Sequence, residues 1–304
     1  MNTTPKLINH DFSQPQGGSY TRIMQDREEI IDYLNNSHVR IWHNTESYNF
    51  ENHYHNCVEM IFMYENDCLV QFPTNKLSLN TGDILLIPPY IMHQIMGTKQ
   101  VRQFVIMLDV ELLAHFGIYA STTSSINDIL LCNKDTCPQI YDSVRNNIIE
   151  MINAYFLNDS YWQLEVYSHF LFILAQLGKN EPLTTPVNEM LVGSGTKEHY
   201  DKFAELLQYV DINYSEQITL DTISSHVGFS KYHFIRLFKE YTGMTFYEYL
   251  TNKRIQHAKE LLKSNMGITE IAFSCGFNNQ TSFCRTFKKV VGFPPTEYRQ
   301  QLNK

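Results

Sequence analysis

Apolar residues along this chain follow two rhythms. Between residues 38 and 109 they gather in short β-rich runs, VRIWHNT, CVEMIFMY, CLVQF, DILLIPP and RQFVIMLD, parted by ENDC, PTNK and NTGD. Short β-branched and aromatic runs bounded by Asn, Asp, Gly and Pro predict the strands and turns of an antiparallel sheet or barrel. From about residue 110 the spacing lengthens to three or four. NNIIEMINAYFL and YWQLEVYSHFLFILAQL predict two helices within about 140–177. The second is apolar round much of its circumference, through Val166, Phe170, Leu171, Ile173, Leu174 and Leu177. Such a helix has to bury two sides, within a hairpin packed on the sheet or also against a second subunit. GKNEPLTTPVNEMLVGSGTKE then loses all periodicity and marks a linker at 178–197. Beyond it the pattern is helical throughout.

The expected architecture is therefore multidomain α+β. A domain over 1–177 holds a β-barrel at about 36–110 and a helical hairpin at about 140–177; the linker and an all-α domain over 198–304 follow. At 304 residues, 43% of them hydrophobic and including 19 Tyr and 19 Phe, the chain has material for more than one core. No apolar run is long enough to span a bilayer, and MNTTPKLINHDF lacks a leader's hydrophobic segment. A cytoplasmic location follows as an expectation, with the six cysteines (57, 68, 132, 137, 275 and 284) reduced.

The net charge of −8 conceals an asymmetry. Residues 1–195 carry 10 Lys+Arg against 21 Asp+Glu, whereas residues 222–304 carry 12 against 5. An acidic body with a basic end is a hint of a nucleic-acid partner.

That basic end repeats itself. GFSKYHFIRLFKEYTGMTFYEY (228–249) returns as GFNNQTSFCRTFKKVVGFPPTEY (276–298), with one additional residue ahead of the first matched phenylalanine. Each copy reads as a short helix ended by glycine, an N-cap at Ser230 or Asn279, and a second helix with phenylalanines four apart on its buried stripe. Two helix–turn–helix units result, joined by FYEYLTNKRIQHAKELLKS as a connecting helix. Off the aromatic stripe the first recognition helix carries Lys231, Tyr232, His233, Ile235, Arg236 and Lys239. The second carries Asn279, Gln280, Thr281, Ser282, Cys284, Arg285 and Lys288, and Ser230 at the start of the first is also expected to contact DNA. Arginine can read guanine, Gln and Asn adenine, and apolar groups the thymine methyl, while Lys and helix amino ends suit phosphates.

GFNNQTSFCRTFKKVVGFPPTEYR resembles, nearly verbatim, the signature of the DNA-binding domain of the AraC/XylS family of bacterial transcription regulators. The resemblance covers about the last hundred residues. It implies that both recognition helices enter successive major-groove segments of double-stranded DNA. The family's base-facing positions fall on Tyr232, Ile235, Arg236, Gln280, Thr281, Cys284 and Arg285. Ile235 and Cys284 stand where polar residues are common. The resemblance also implies a homodimer, RNA polymerase as a partner and no catalytic chemistry.

HYHNCVE, residues 53–59, places His53, His55 and Glu59 at one parity, so on a single strand they would share a face. Imidazoles with a carboxylate are also a metal-ligand set. With GDILLIPPYIMH, Gly82 to His93, the pair of motifs resembles the sensor barrel of cupin type often fused to such DNA-binding domains. That resemblance adds His93 as a fourth position. No metal cofactor is expected, because Glu65-Asn66-Asp67 replaces a motif glycine and Tyr90 stands where a small residue belongs. The expectation is an effector cavity, by family analogy for a sugar or related metabolite, lined by Trp42, His53, His55, Glu59, Tyr64 and His93, with Phe72 and Met107. Two alternatives stay open: a metal-dependent enzyme or metal sensor using His53, His55, Glu59 and His93, and a constitutive regulator whose barrel only dimerises.

Overall fold

The computed structural model describes residues 6–8, 10–12, 22–45, 49–73, 75–97, 101–109, 129–180 and 197–302. The chain divides into two compact units, Met1–Asp201 and Lys202–Lys304. Most of the expected linker, residues 181–196, lies outside the described residues.

The first unit is built on strands β1 (Ile23–Gln25), β2 (Glu28–Ile30), β3 (Val39–Asn44), β4 (Asn49–His53), β5 (Val58–Glu65), β6 (Cys68–Gln71), β7 (Lys76–Leu79), β8 (Ile84–Ile87), β9 (His93–Gly97), β10 (Arg102–Leu108) and β11 (Leu130–Cys132). They form a five-stranded sheet in the order β11-β8-β5-β10-β3, a four-stranded sheet in the order β4-β9-β6-β7, and the hairpin β1-β2. Every ladder within them is antiparallel. The sequence predicts one barrel. Among the described residues no strand ladder joins the two sheets, so the architecture is two open sheets. Alternating burial cannot separate these outcomes, because a barrel and a pair of stacked sheets hide the same faces.

Strand β5 explains the run of apolar residues. Val58, Met60 and Phe62 enter a core with the helices α1 (Tyr141–Leu157) and α2 (Trp162–Lys179), alongside Ile106 of β10, Val144, Ile148, Phe170 and Ile173. Ile61 and Met63 point the other way, into a second core with Val70, Leu79, Leu85, Ile87 and Ile95 of both sheets. A strand buried on both faces reads as a continuous hydrophobic run. Helix α1 closes at Asn158, in the left-handed conformation that Asn tolerates (φ 51°). Helix α2 buries one stripe, Val166, Phe170, Ile173, Leu174 and Leu177, and leaves Leu164 and Phe172 exposed. No helix among the described residues is long and apolar enough to cross a membrane.

The second unit is helical: α3 (Lys197–Asn213), α4 (Leu220–His226), α5 (Lys231–Thr242), α6 (Phe246–Leu261), α7 (Ile268–Ser274), α8 (Gln280–Val291) and α9 (Pro295–Leu302). Phe203 of α3 stacks on Phe234 and Tyr241 of α5 in a first core. A second core gathers Ile271, Ala272, Phe283 and Phe287. Helix α6 serves both. Its early residues Phe246 and Tyr249 meet Phe238, and its later residues Ile255 and Ala258 enter the second core. Glycines close the repeated elements. Gly228 and Gly276 follow α4 and α7 at φ 70° and 74°, and Gly243 and Gly292 cap α5 and α8 at 87° and 91°.

Candidate nucleic-acid interface and buried histidine cluster

Helices α5 and α8 present their faces by the same local logic. Phe234 and Phe238, and in the second copy Phe283 and Phe287, are fully buried, which turns the opposite face of each helix outward. On α5, Lys231, Ile235, Arg236 and Lys239 are exposed, and Tyr232 is 85% exposed. On α8, Gln280, Thr281, Arg285 and Lys288 are exposed. Cys284 differs from the expectation: it is half-buried against the second core, so much of its side chain is spent on packing. Ser230 and Asn279 act first as N-caps. The Ser230 hydroxyl accepts from His233 N–H (3.3 Å) and the Asn279 carbonyl accepts from Ser282 N–H (2.8 Å).

The histidines of the first unit converge by a route other than the one their spacing suggests. A single strand does not carry them. His53 ends β4, His55 follows the bridging residue Tyr54, and Glu59 is the second residue of β5 in the other sheet. The cluster forms because the chain crosses between sheets there. His93 opens β9 as the cross-strand partner of His53. The hairpin β1-β2 is pinned to the crossing by Glu29 N–H to Tyr54 O and Tyr54 N–H to Arg27 O. Tyr90, the departure from the motif, takes a left-handed backbone (φ 64°), and its N–H bonds the His55 carbonyl at 2.7 Å.

Each ring is oriented by its own backbone neighbourhood. The Nδ1 atoms of His53, His55 and His93 donate to the carbonyls of Glu51 (2.8 Å), Cys57 (3.0 Å) and Ile91 (2.9 Å). A carbonyl only accepts, so Nδ1 carries the proton and Nε2 faces inward. There His53 meets Glu29 (3.2 Å), and both His55 (3.2 Å) and His93 (2.9 Å) meet Glu59. His93 Nε2 is close enough to Glu59 for charge attraction but is buried and misaligned as a hydrogen bond. Arg22 pairs with Glu29 and lies over the Phe50 ring.

Burial, and then the charges of His93 and Arg22, hold His53 well below the ordinary histidine range. Burial would lower His55 too, but Cys57 and the Glu59 carboxylate outweigh it and raise that pKa. Burial would raise Glu59; His93 and His55 overcome it and keep the carboxylate far below its usual range. A protonated His55 beside Glu59, and Arg22 beside Glu29, make the buried charges balance.

Trp42, His53, Glu59 and Met107 line one cleft with Arg22 and Glu29. Its volume, about 30 Å³, suits a water or two rather than a metabolite. His55 and His93 sit behind it, and Phe72 packs in the core between the sheets. Tyr64 does not join them. It lies on the helix side of β5, its ring 6.4 Å from Phe62 and 6.3 Å from Phe104. The sequence reading missed Arg22, Glu29 and Gln103. Gln103 shares the β10 face of Val105 and Met107, and it is buried with both amide atoms unpaired. An unpaired amide at zero exposure was visible only once its strand was placed.

The Nε2 atoms are arranged as metal ligands are. The donor atoms of His53, His55 and His93 lie within 4.8 Å of one another, and backbone carbonyls fix the ring tautomers as outer partners do in metal sites. Three imidazoles with Glu59 nearby suit zinc or non-haem iron.

A pair of helix–turn–helix units, sharing one connecting helix and exposing a basic face from each second helix, defines a DNA-binding module. A helix-turn-helix domain model matches residues 223–301, and this carboxy-terminal unit is similar to the DNA-binding domain of AraC-type regulators. Regulatory protein PocR of Salmonella typhimurium is 34% identical over 126 residues, 41% of each chain. An HTH-type transcriptional regulator of Staphylococcus aureus is 24% identical over 241 residues, covering 78% of this chain and 31% of that protein. The chain thus spans less than half the length of these curated relatives. A structure of ToxT from Vibrio cholerae aligns over 86% of this chain and 97% of its own, at 17% identity and a TM-score of 0.41.

Proposed function

We propose that this protein is a sequence-specific transcriptional regulator, not an enzyme, that binds double-stranded DNA through α5 and α8 and works in the cytoplasm. The observation that carries the reading is the doubled scaffold: two recognition helices, capped and closed alike, each turning a face with arginine outward. Selection from a random duplex pool tests it. The expected product is a site whose two read segments lie about one helical turn apart. Failure of the full chain to enrich any sequence overturns the reading.

The first unit is read as the sensor. Trp42 offers an aromatic face, and Glu29 and Glu59 offer acceptors for hydroxyls, which suits a neutral polyhydroxylated effector such as a sugar. The cleft has to open to admit one, so the effector acts by favouring the open state. A thermal-shift panel of sugars and polyols would show a rise in melting temperature for a binder. No rise with any of them favours a unit that only dimerises. Exposed Leu164 and Phe172 on α2, with exposed Tyr161 at its N-cap, support a second copy as their cover; light scattering of Leu164→Ser and Phe172→Ser against the parent chain tests this.

A specific observation supports a second reading, metal sensing. The three fixed Nε2 atoms point inward, and His93 Nε2 lacks an aligned hydrogen bond. The residues fit zinc, which would be held by His53, His55 and His93 with Glu59. Zinc should then raise the melting temperature of the parent chain and not that of His93→Ala. Equal responses exclude it.

A further inference from the structure

The two helix–turn–helix units repeat a contact that their backbones do not enforce. In the first, Asp221, the second residue of α4, pairs with Lys231, the first residue of α5. In the second, the Thr269 hydroxyl donates to the Gln280 side-chain carbonyl at 2.6 Å. Thr269 is the second residue of α7 and Gln280 the first of α8. The turn of the second copy is one residue longer, yet the same two helix positions meet. All four side chains are exposed, so packing does not force them together.

We propose that Asp221 and Thr269 are positioning residues of the two recognition helices, each fixing the first side chain of its helix: Thr269 presents Gln280 to DNA, and Asp221 holds Lys231 back from it. This rests on the DNA-binding reading above. The chemistry differs between copies, and so does the consequence.

A separation of 2.6 Å belongs to an O–H···O bond and is short for an amide N–H donor, which assigns the carbonyl of Gln280 to the Thr269 side. The amide is then held in one plane with its NH₂ in a defined direction. An unanchored glutamine can turn its amide over, exchange donor for acceptor, and blur the pattern that a base edge presents. Thr269 therefore sharpens the reading of one base pair. Asp221 acts on charge instead. Lys231 has only donors and suits phosphate as a point charge. Paired with Asp221 it is withheld, so that the exposed face of α5 is left to Tyr232, Ile235 and Arg236.

The test uses the full chain, random-duplex selection and the salt dependence of binding. Thr269→Val removes the hydroxyl and keeps the shape; it should lower discrimination at one base pair about fivefold or more while the other positions keep their preferences. Thr269→Ser, which keeps the hydroxyl, should retain the parent profile. Asp221→Asn should steepen the slope of log K against log salt by about 0.9, one more phosphate contact, with base preferences unchanged. Altered packing alone would move neither a single position of the profile nor the salt slope by one contact. A Thr269→Val profile that superimposes on the parent's overturns the Gln280 half, and an unchanged slope for Asp221→Asn overturns the Lys231 half. If the parent chain itself enriches no sequence, the DNA-binding reading fails first, and that failure is visible before any variant is compared.

Discussion

Glu59 holds the histidine cluster together, and replacing it gives a graded test of that role. The carboxylate is 1% exposed. It accepts from His55 Nε2 at 3.2 Å and attracts His93 Nε2 at 2.9 Å. Because the backbone carbonyls hold both Nδ1 protons, the inward nitrogens cannot turn away when the carboxylate is lost. Glu59→Gln keeps the volume but loses the charge. Both imidazoles face one oxygen of the carboxylate, so an amide oxygen placed there accepts from protonated His55 and leaves the NH₂ on the other side, away from His93 Nε2. One buried nitrogen is left unsatisfied, a loss of about 1–3 kcal/mol. Glu59→Leu leaves both nitrogens facing a hydrocarbon and strips the partner from a histidine that is charged in the parent chain. Breaking a buried ion pair from one side costs about 3–5 kcal/mol. For a unit of this size each kcal/mol lowers the melting temperature by about 2–4 °C, so the leucine variant should melt about 6–20 °C lower. The assay is thermal unfolding in the presence of chelator, followed by the tryptophan signal, since Trp42 and Trp162 both lie in the first unit. The expected order is Glu above Gln above Leu. A leucine variant as stable as the parent would refute the structural role and leave Glu59 as a group retained for a ligand.

Other expectations are simpler to check. Arg236→Ala and Arg285→Ala should each weaken binding to the selected site by about 1–3 kcal/mol; titration with labelled duplex measures it, and unchanged affinity for both removes the assigned contacts. Gly228→Ala and Gly276→Ala change equivalent glycines, yet they should differ. Each forces an L-residue into the left-handed region at about 1–2 kcal/mol, but only at position 276 would the new Cβ lie 2.6 Å from the Ser215 carbonyl oxygen. Equal losses in chemical denaturation would sink the packing argument. His43, stacked on Phe104, is pulled down to about 4 by burial and then by Arg102. Its folded value lies below the unfolded one of about 6.5, so the unfolded chain takes up the proton first as pH falls. The stability it contributes is present above about pH 6.5 and is lost as pH drops towards 4. Stability at pH 7 and pH 5 should therefore differ more in the parent than in His43→Phe.

The repeat shows why the second unit was so legible. Its elements are local: a cap, a helix of fixed period and a closing glycine each announce themselves within a few residues. Copying the pattern twice separated Phe234, Phe238, Phe283 and Phe287, which pack, from Arg236 and Arg285, which do not. Cys284, expected on the exposed face, is half-buried because its neighbour Phe283 lies in the core and a one-residue rotation on a helix separates rim from core. In the first unit the apolar runs located β3, β5, β6, β8 and β10, and the helical spacing located α1 and α2. The short strands β4, β7 and β9 carry too few apolar residues for such a signal.

Sequence alone therefore determined the change of period along the chain and the doubled helix–turn–helix. These follow from periodicities and spacings within short windows, where neighbours in the chain are neighbours in space. Tertiary structure decided the rest. It opened the expected barrel into two sheets, because ladder closure depends on which distant edges pair. It turned Tyr64 towards the helices by strand parity and brought Arg22 and Glu29 into the cleft. It also joined Thr269 to Gln280 and Asp221 to Lys231. Contacts of this kind depend on where whole elements dock, and no local pattern of residues records that.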